Sequence, residues 1–130
     1  MRLWKLVAIT GLMLITAHEA NAQQPRTAPV VERMASMFAD VAAMSRTCYK
    51  KYIVSSSEIE AASDRFADSY PDVVAFVMGS EKLVSRLLAR ASQLEKDPAF
   101  RLEDCLKIPS LINANTPEAA AEALKKSPLQ

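Results

Sequence analysis

The chain is poor in the residue types on which most catalytic and cofactor-binding motifs are built. Its 130 residues include one histidine, one tryptophan, two glycines and two cysteines. Both His18 and Trp4 fall within the first 22 residues, so the rest of the chain has neither type. Without histidine, that remainder cannot form a Ser-His-Asp triad, a Cys-His pair, or a His-ligated zinc or haem site.

Glycine is almost as scarce, because Gly79 is the only one after residue 22. Glycine-rich phosphate loops and tight hairpins depend on the backbone freedom of this residue type, so neither is expected. No EF-hand ligand pattern is present either. Acid–base catalysis by two carboxylates stays open in principle, but no spacing singles out a pair. We therefore expect a non-enzymatic protein with no catalytic, metal-binding or cofactor-binding residues.

The N-terminus has the three parts of a cleavable secretory signal peptide. Arg2 and Lys5 supply positive charge, residues 6–17 are uncharged, and Ala20 and Ala22 form an Ala-x-Ala cleavage site. The uncharged stretch is shorter than the about 20 apolar residues that a membrane span requires. We therefore expect cleavage near Ala22, a periplasmic or secreted location, and no stable membrane anchor.

The mature chain is small and electrically balanced. Removal of residues 1–22 leaves 108 residues, in which we expect a disordered lead-in at 23–28 and a single helical domain at 29–130. The signal takes two of the 16 basic residues and one of the 15 acidic residues, which leaves 14 of each. This balance disfavours nucleic acid and anionic membranes as partners, because both attract proteins through positive charge.

Cys48 and Cys105 are the only cysteines, and only one intramolecular pairing is possible. In an oxidising compartment an even count favours a structural disulfide. A redox-active pair is the alternative, but the spacing is not Cys-x-x-Cys. An intermolecular bridge is a third possibility.

Apolar periodicity predicts an all-α fold, a small bundle of four main helices plus short helical segments. From residue 30 to about 53, apolar residues recur at spacings of four and three: Val30, Met34, Met37, Val41, Met44 and Cys48. We expect further main helices at about 58–69 and 81–96 and a last one from Thr116 to about Lys126. We also expect a helix that starts at Asp97 and Pro98 and ends at Pro109, followed by a loop or a single turn over 110–115.

The most apolar part of the mature chain is residues 73–78, Val-Val-Ala-Phe-Val-Met. Its β-branched content fits a strand, but no second strand is predicted to pair with it. We therefore expect a short helix buried against the first helix. The functional alternative is an exposed apolar surface for a partner.

Charged side chains form two stripes with helical spacing. The acidic stripe is Glu60, Asp64 and Asp68, and the basic stripe is Lys82, Arg86 and Arg90. One hypothesis pairs the stripes across an antiparallel helical hairpin, and the alternative is two separately solvated faces.

A basic and aromatic cluster lies at the end of the first predicted helix: Arg46, Tyr49, Lys50, Lys51 and Tyr52. It is our candidate partner-binding patch, because such residues hold carboxylates, phosphates or acidic loops. The alternative is that cations at a helix C-terminus offset the helix macrodipole.

These observations predict an exported protein-binding module, an adaptor or an inhibitor, whose partner is another envelope or secreted protein. In size, helicity and single disulfide the chain resembles small exported immunity proteins. It is also similar to acid-activated periplasmic chaperones, in which one disulfide ties two helices, so a stress chaperone is the alternative. The lack of histidine favours the first hypothesis, since carboxylates alone titrate near about pH 4 and below.

Overall fold

The computed structural model describes residues 26–52 and 57–126, and the predicted signal peptide with Ala20 and Ala22 lies outside them. The described residues form seven α-helices and no strand, which confirms the all-α fold. The helices are α1 (Ala28–Tyr52), α2 (Ser57–Ser69), α3 (Pro71–Met78), α4 (Glu81–Lys96), α5 (Leu102–Leu106), α6 (Ile108–Ala114) and α7 (Pro117–Lys126). Within these ranges, no helix is both long and apolar enough to cross a membrane.

Helix α1 is the centre of the bundle. It packs most extensively against α4 and α3 and also contacts α5, α6 and α7. Helix α2 packs mainly on α6, and Phe66 on α2 stacks on Phe38 of α1 with ring centroids 5.0 Å apart. Of the apolar positions predicted for α1, Met34 and Cys48 are buried, whereas Met37 is 37% exposed.

A second buried row on α1 consists of small side chains and was not predicted from the apolar spacing. It contains Ala35, Ala39, Ala43 and Thr47, which recur every fourth residue and are all buried. Residues four apart share one face of a helix, so these form a low ridge that allows neighbouring helices to approach closely. The hydroxyl of Thr47 donates a 3.1 Å hydrogen bond to the carbonyl of Ala91, which places the C-terminal end of this ridge against α4.

Helices α1 and α4 run parallel to each other, because their contacts advance together along both helices. Arg86 of α4 lies 3.9 Å from Asp40 of α1, and further along Glu95 lies 3.8 Å from Lys50. The hypothesis of a hairpin between the acidic and basic stripes is wrong, because the two helices that carry the stripes pack on different neighbours. Helix α4 packs on α1, while α2 packs on α6 and α3, and Arg86 pairs with α1 instead of α2.

The apolar run at 73–78 forms α3, as predicted, but only one of its faces is buried. Val73 and Val77 are fully buried, while Phe76 is half exposed and Met78 is 69% exposed. Burial and exposure are thus divided between two sides of the same short helix, and a partner for the exposed side stays a prediction.

The region between α4 and α7 differs from the prediction at three points. Asp97 does not begin a helix: its carboxylate accepts a 2.9 Å hydrogen bond from the amide of Ala99, which closes a turn. Helix α5 begins only at Leu102, after Asp104 accepts a 2.8 Å hydrogen bond from the amide of Arg101.

Pro109 does not end a helix, and residues 110–114 belong to a seven-residue helix instead of a loop or a single turn. Pro109 lies in the first turn of α6, where its missing amide hydrogen leaves no helical hydrogen bond unmade, and the helix continues to Ala114. The predicted start of the last helix is confirmed. The Thr116 hydroxyl accepts a 3.1 Å hydrogen bond from the amide of Ala119, and α7 runs from Pro117 to Lys126.

The disordered lead-in was predicted to cover residues 23–28, and this range reaches too far into the chain. Residues 23–25 lie outside the described part, but Ala28 already begins α1. Arg26 is held against α3 because its guanidinium donates to the carboxylate of Asp72 at 2.6 Å and lies over the ring of Tyr70. The folded domain therefore includes Arg26.

The disulfide between Cys48 and Cys105 is present, with the two Cα atoms 5.9 Å apart. Both cysteines are buried, and the bond joins the last turns of α1 to α5. This burial supports a structural role, since reactive disulfides and thiols are partially exposed.

Candidate partner-binding site

The predicted basic and aromatic patch separates into two groups, and two of its five residues form hydrogen bonds within the protein. Lys51 Nζ donates hydrogen bonds to the carbonyls of Asp97 at 2.9 Å and Phe100 at 3.2 Å. Tyr52 Oη donates to the same Phe100 carbonyl at 2.7 Å. These two side chains therefore hold the segment between α4 and α5 against the end of α1.

Arg46, Tyr49 and Lys50 remain together on an exposed face of α1. They stand at positions i, i+3 and i+4 of the helix, which places their side chains side by side. Tyr49 is 63% exposed. Within residues 26–52 and 57–126, Arg46 forms no ion pair and the Tyr49 hydroxyl forms no hydrogen bond, so both side chains are available to a partner.

Two of these residues line a depression of about 200 Å³ between the parallel helices, which we name the α1–α4 groove. Its lining residues are Arg46, Thr47 and Lys50 from α1 and Leu88, Ala91, Ser92 and Glu95 from α4. Thr47 and Ala91 are buried and form its floor, while the other five stand along the two walls.

The groove exists because small residues meet at the floor of the interface. Thr47 donates to the carbonyls of Ala43 at 2.9 Å and Ala91 at 3.1 Å, so its hydroxyl is engaged within the protein. Neither Thr47 nor Ala91 has a side chain long enough to fill the space above this contact. The longer side chains of Arg46 and Leu88 border that space from opposite helices.

The charges around the groove do not cancel. Arg46 and Lys50 carry two positive charges on one wall, and Glu95 carries one negative charge on the other. Lys50 Nζ lies 3.8 Å from the Glu95 carboxylate, which is longer than a hydrogen bond, and both side chains are exposed. Such a pair is weakly held, so the wall formed by α1 presents positive charge.

The wall contributed by α4 was not predicted as part of a site. Leu88 fits the apolar helical spacing of its helix in sequence, but it is 47% exposed at the edge of the groove. Ser92 and Glu95 stand one and two turns after Leu88, at spacings of four and three. This common face can be read from the sequence, but the parallel placement of α4 beside Arg46 and Lys50 cannot.

Other exposed apolar side chains are not among the residues that line the groove. They are Met37 on α1, Phe76 and Met78 on α3, and Leu102 and Leu106 on α5. Among the residues that the structure describes, no group of three or more His, Cys, Asp or Glu side chains is placed to hold a metal ion.

Comparison with protein-family models, with curated proteins and with solved structures finds no match to this chain. The residues of the α1–α4 groove and their surroundings are therefore the basis for any statement about function.

Proposed function

We propose that the protein is an exported, non-enzymatic protein-binding module, an adaptor or inhibitor, that binds its partner through the α1–α4 groove and the adjacent Tyr49. One observation carries this proposal. An arginine without an ion pair among the described residues and a half-exposed leucine border the same surface depression, and the exposed Tyr49 stands one turn along α1 from that arginine. Tyrosine and arginine are enriched in protein interfaces and among the residues that contribute most to binding energy.

The dimensions of the groove favour a protein partner over a small-molecule ligand. Pockets for small molecules and cofactors enclose about 300–1,000 Å³ and bury most of the ligand. The α1–α4 groove has about 200 Å³ and is partly open to solvent. A space of this kind suits one or two side chains from a partner, with Tyr49 and the helix surfaces forming the surrounding contacts.

Export is the part of the proposal that rests on chemistry outside the groove. The buried Cys48–Cys105 bond is of the kind that persists in oxidising compartments such as the periplasm. The signal-peptide pattern at residues 1–22 agrees with this location. Mass spectrometry of the protein taken from its native envelope tests both, and a retained N-terminus or two free thiols would contradict export.

The binding proposal is tested by capture of partners from native envelope extract on the immobilised mature protein. The test variant is Arg46→Glu with Lys50→Glu, which reverses the charge of one groove wall. The matched control is Lys82→Glu with Arg90→Glu, which makes the same charge change at exposed positions of α4 outside the groove lining. We expect the groove variant to lose a partner that the wild type and the control both retain.

Circular dichroism must first show that both double variants are folded. Equal capture by the groove variant and the wild type would reject the groove as the binding site. Equal loss in both variants would show that overall charge, not this surface, governs capture.

A second candidate function is a stress chaperone, and the exposed apolar side chains on α3 and α5 favour it. Met78 is 69% exposed and Leu106 is 73% exposed. If these side chains bind unfolded clients, then Met78→Ser with Leu106→Ser should reduce the suppression of client aggregation. The assay compares about pH 3 with about pH 7 and includes an apolar dye, whose fluorescence rises when hydrophobic surface is exposed. No effect on clients at either pH would reject this function.

A further inference from the structure

We propose that the partner segment that enters the α1–α4 groove is acidic. An aspartate or glutamate carboxylate is seated by Arg46 and Lys50, and an apolar side chain next to it covers Leu88. This inference rests on the proposed function, because it names the chemistry of the partner at the same groove. The charged side chains that border the groove and the exposed side chain of Leu88 support it.

The wall formed by α1 offers a ready carboxylate site. Arg46 has no ion pair among the described residues, so its guanidinium can donate two parallel hydrogen bonds to one carboxylate. Lys50 is next to it on the same helix face, and its ammonium is 3.8 Å from Glu95, too far for a hydrogen bond. Lys50 can therefore turn towards an incoming anion at little cost.

The wall formed by α4 favours an apolar residue next to that carboxylate in the partner segment. Leu88 is 47% exposed at the edge of the groove, beside the buried Ala91. A ligand with charge alone would leave this surface in water, whereas an apolar side chain one or two residues from the carboxylate would remove it. Ser92 stands between Leu88 and Glu95 on this wall and offers a hydroxyl to the backbone of the segment.

The charge balance of the groove selects a carboxylate over a phosphate. The positive charges of Arg46 and Lys50, less the negative charge of Glu95, leave a net charge of +1. One carboxylate neutralises this charge. A phosphate group carries about −1.5 to −2 at neutral pH, so it would leave excess negative charge beside Glu95. Like charges brought together across an interface oppose binding.

Glu95 has a specific part in this arrangement, because it competes with the partner for Lys50. Replacement of Glu95 by glutamine removes the competing carboxylate but keeps the size of the side chain. An acidic segment should then bind more tightly, whereas a basic segment, which would use Glu95 as its own contact, should bind more weakly. The direction of this single change therefore reports the sign of the partner's charge.

The experiment selects short random peptides displayed on phage against the immobilised mature protein. Enriched peptides are synthesised with a fluorescent label, and their dissociation constants are measured by anisotropy. We expect enrichment of aspartate or glutamate next to a large apolar residue. We expect Arg46→Gln to weaken binding about tenfold and Glu95→Gln to tighten it about two- to fivefold. Lys82→Gln, an exposed position outside the groove lining, should leave binding unchanged.

Several outcomes would overturn the inference: no enrichment, enrichment of basic peptides, weaker binding to Glu95→Gln, or tighter binding when phosphoserine replaces the acidic residue. Each leaves the proposed function standing if the native partner is still lost from the Arg46→Glu, Lys50→Glu variant. Retention of the native partner by that variant would instead reject the proposed function itself. The two failures are thus separable.

Discussion

Tyr52 and Phe100 are joined by a 2.7 Å hydrogen bond from the tyrosine hydroxyl to the backbone carbonyl. The same carbonyl accepts a second hydrogen bond, of 3.2 Å, from the ammonium of Lys51. Two consecutive residues of α1 therefore share one acceptor on the segment between α4 and α5. A carbonyl with two donors keeps a partner when either one is removed, but not when both are.

This shared acceptor predicts a non-additive double variant. Tyr52→Phe and Lys51→Met should each lower the free energy of unfolding by about 1 kcal/mol or less. The double variant should lose more than the sum of the two, since only it leaves the Phe100 carbonyl without either side-chain donor. Urea unfolding of the four proteins measures the coupling. Simple additivity would mean that the two hydrogen bonds stabilise the fold independently.

The hydroxyl of Thr47 offers a test of the contact beneath the groove. Thr47→Val keeps the branched shape but removes the donor to the carbonyls of Ala43 and Ala91, so we expect a loss of about 1 kcal/mol in the free energy of unfolding. Thr47→Ser keeps the donor and removes only a methyl group. A valine variant as stable as the wild type would show that this hydrogen bond contributes nothing net.

The disulfide should contribute a large part of the stability of the domain. Cys48 and Cys105 are 57 residues apart in sequence, and closure of such a loop stabilises a fold by about 4 kcal/mol in the chain-entropy model. We expect the reduced protein to unfold at much lower urea concentration than the oxidised protein. Alanine at both positions, unfolded with and without reductant, is the control, because reductant should not change it. Equal midpoints for oxidised and reduced wild type would contradict this estimate.

The contact of Arg26 with α3 predicts that the start of the domain contributes to the free energy of unfolding. Arg26→Gln should cost about 1 kcal/mol, because the guanidinium is largely buried and pairs with Asp72 at 2.6 Å. The matched control is Glu103→Gln, which removes a surface-exposed pair with Arg101 and should have almost no effect. If both variants lose the same stability in thermal unfolding at low salt, burial does not distinguish the two ion pairs.

Much of the fold could be predicted because the main helices have clear local patterns. The bounds of α4 agree with the prediction because Ser80 caps its first turn and accepts from the amide of Leu83 at 3.1 Å. The disulfide could be predicted because a chain with two cysteines has a single intramolecular pairing. The region from Asp97 to Asn115 could not, since Asp and Pro both fit a turn and the start of a helix equally well.

Only part of the candidate site could be predicted from the sequence. Arg46, Tyr49 and Lys50 lie on one helix, so their spacing alone places them together. Lys51 and Tyr52 belong to the same run, yet their roles depend on carbonyls that are about fifty residues away in sequence. The exposure of Leu88 could not be predicted, because apolar spacing along one helix does not show whether a neighbouring helix covers a given side chain.

The position of the sulfur bridge also has a consequence for how the chain matures. With two cysteines and no others, oxidation leads to a single intramolecular product, so the chain needs an oxidant but no isomerase to correct wrong pairings. As the polypeptide emerges N-terminus first, Cys48 must wait for α2, α3 and α4 before Cys105 appears. The intramolecular bond therefore cannot form until the sequence of all three of these helices has emerged.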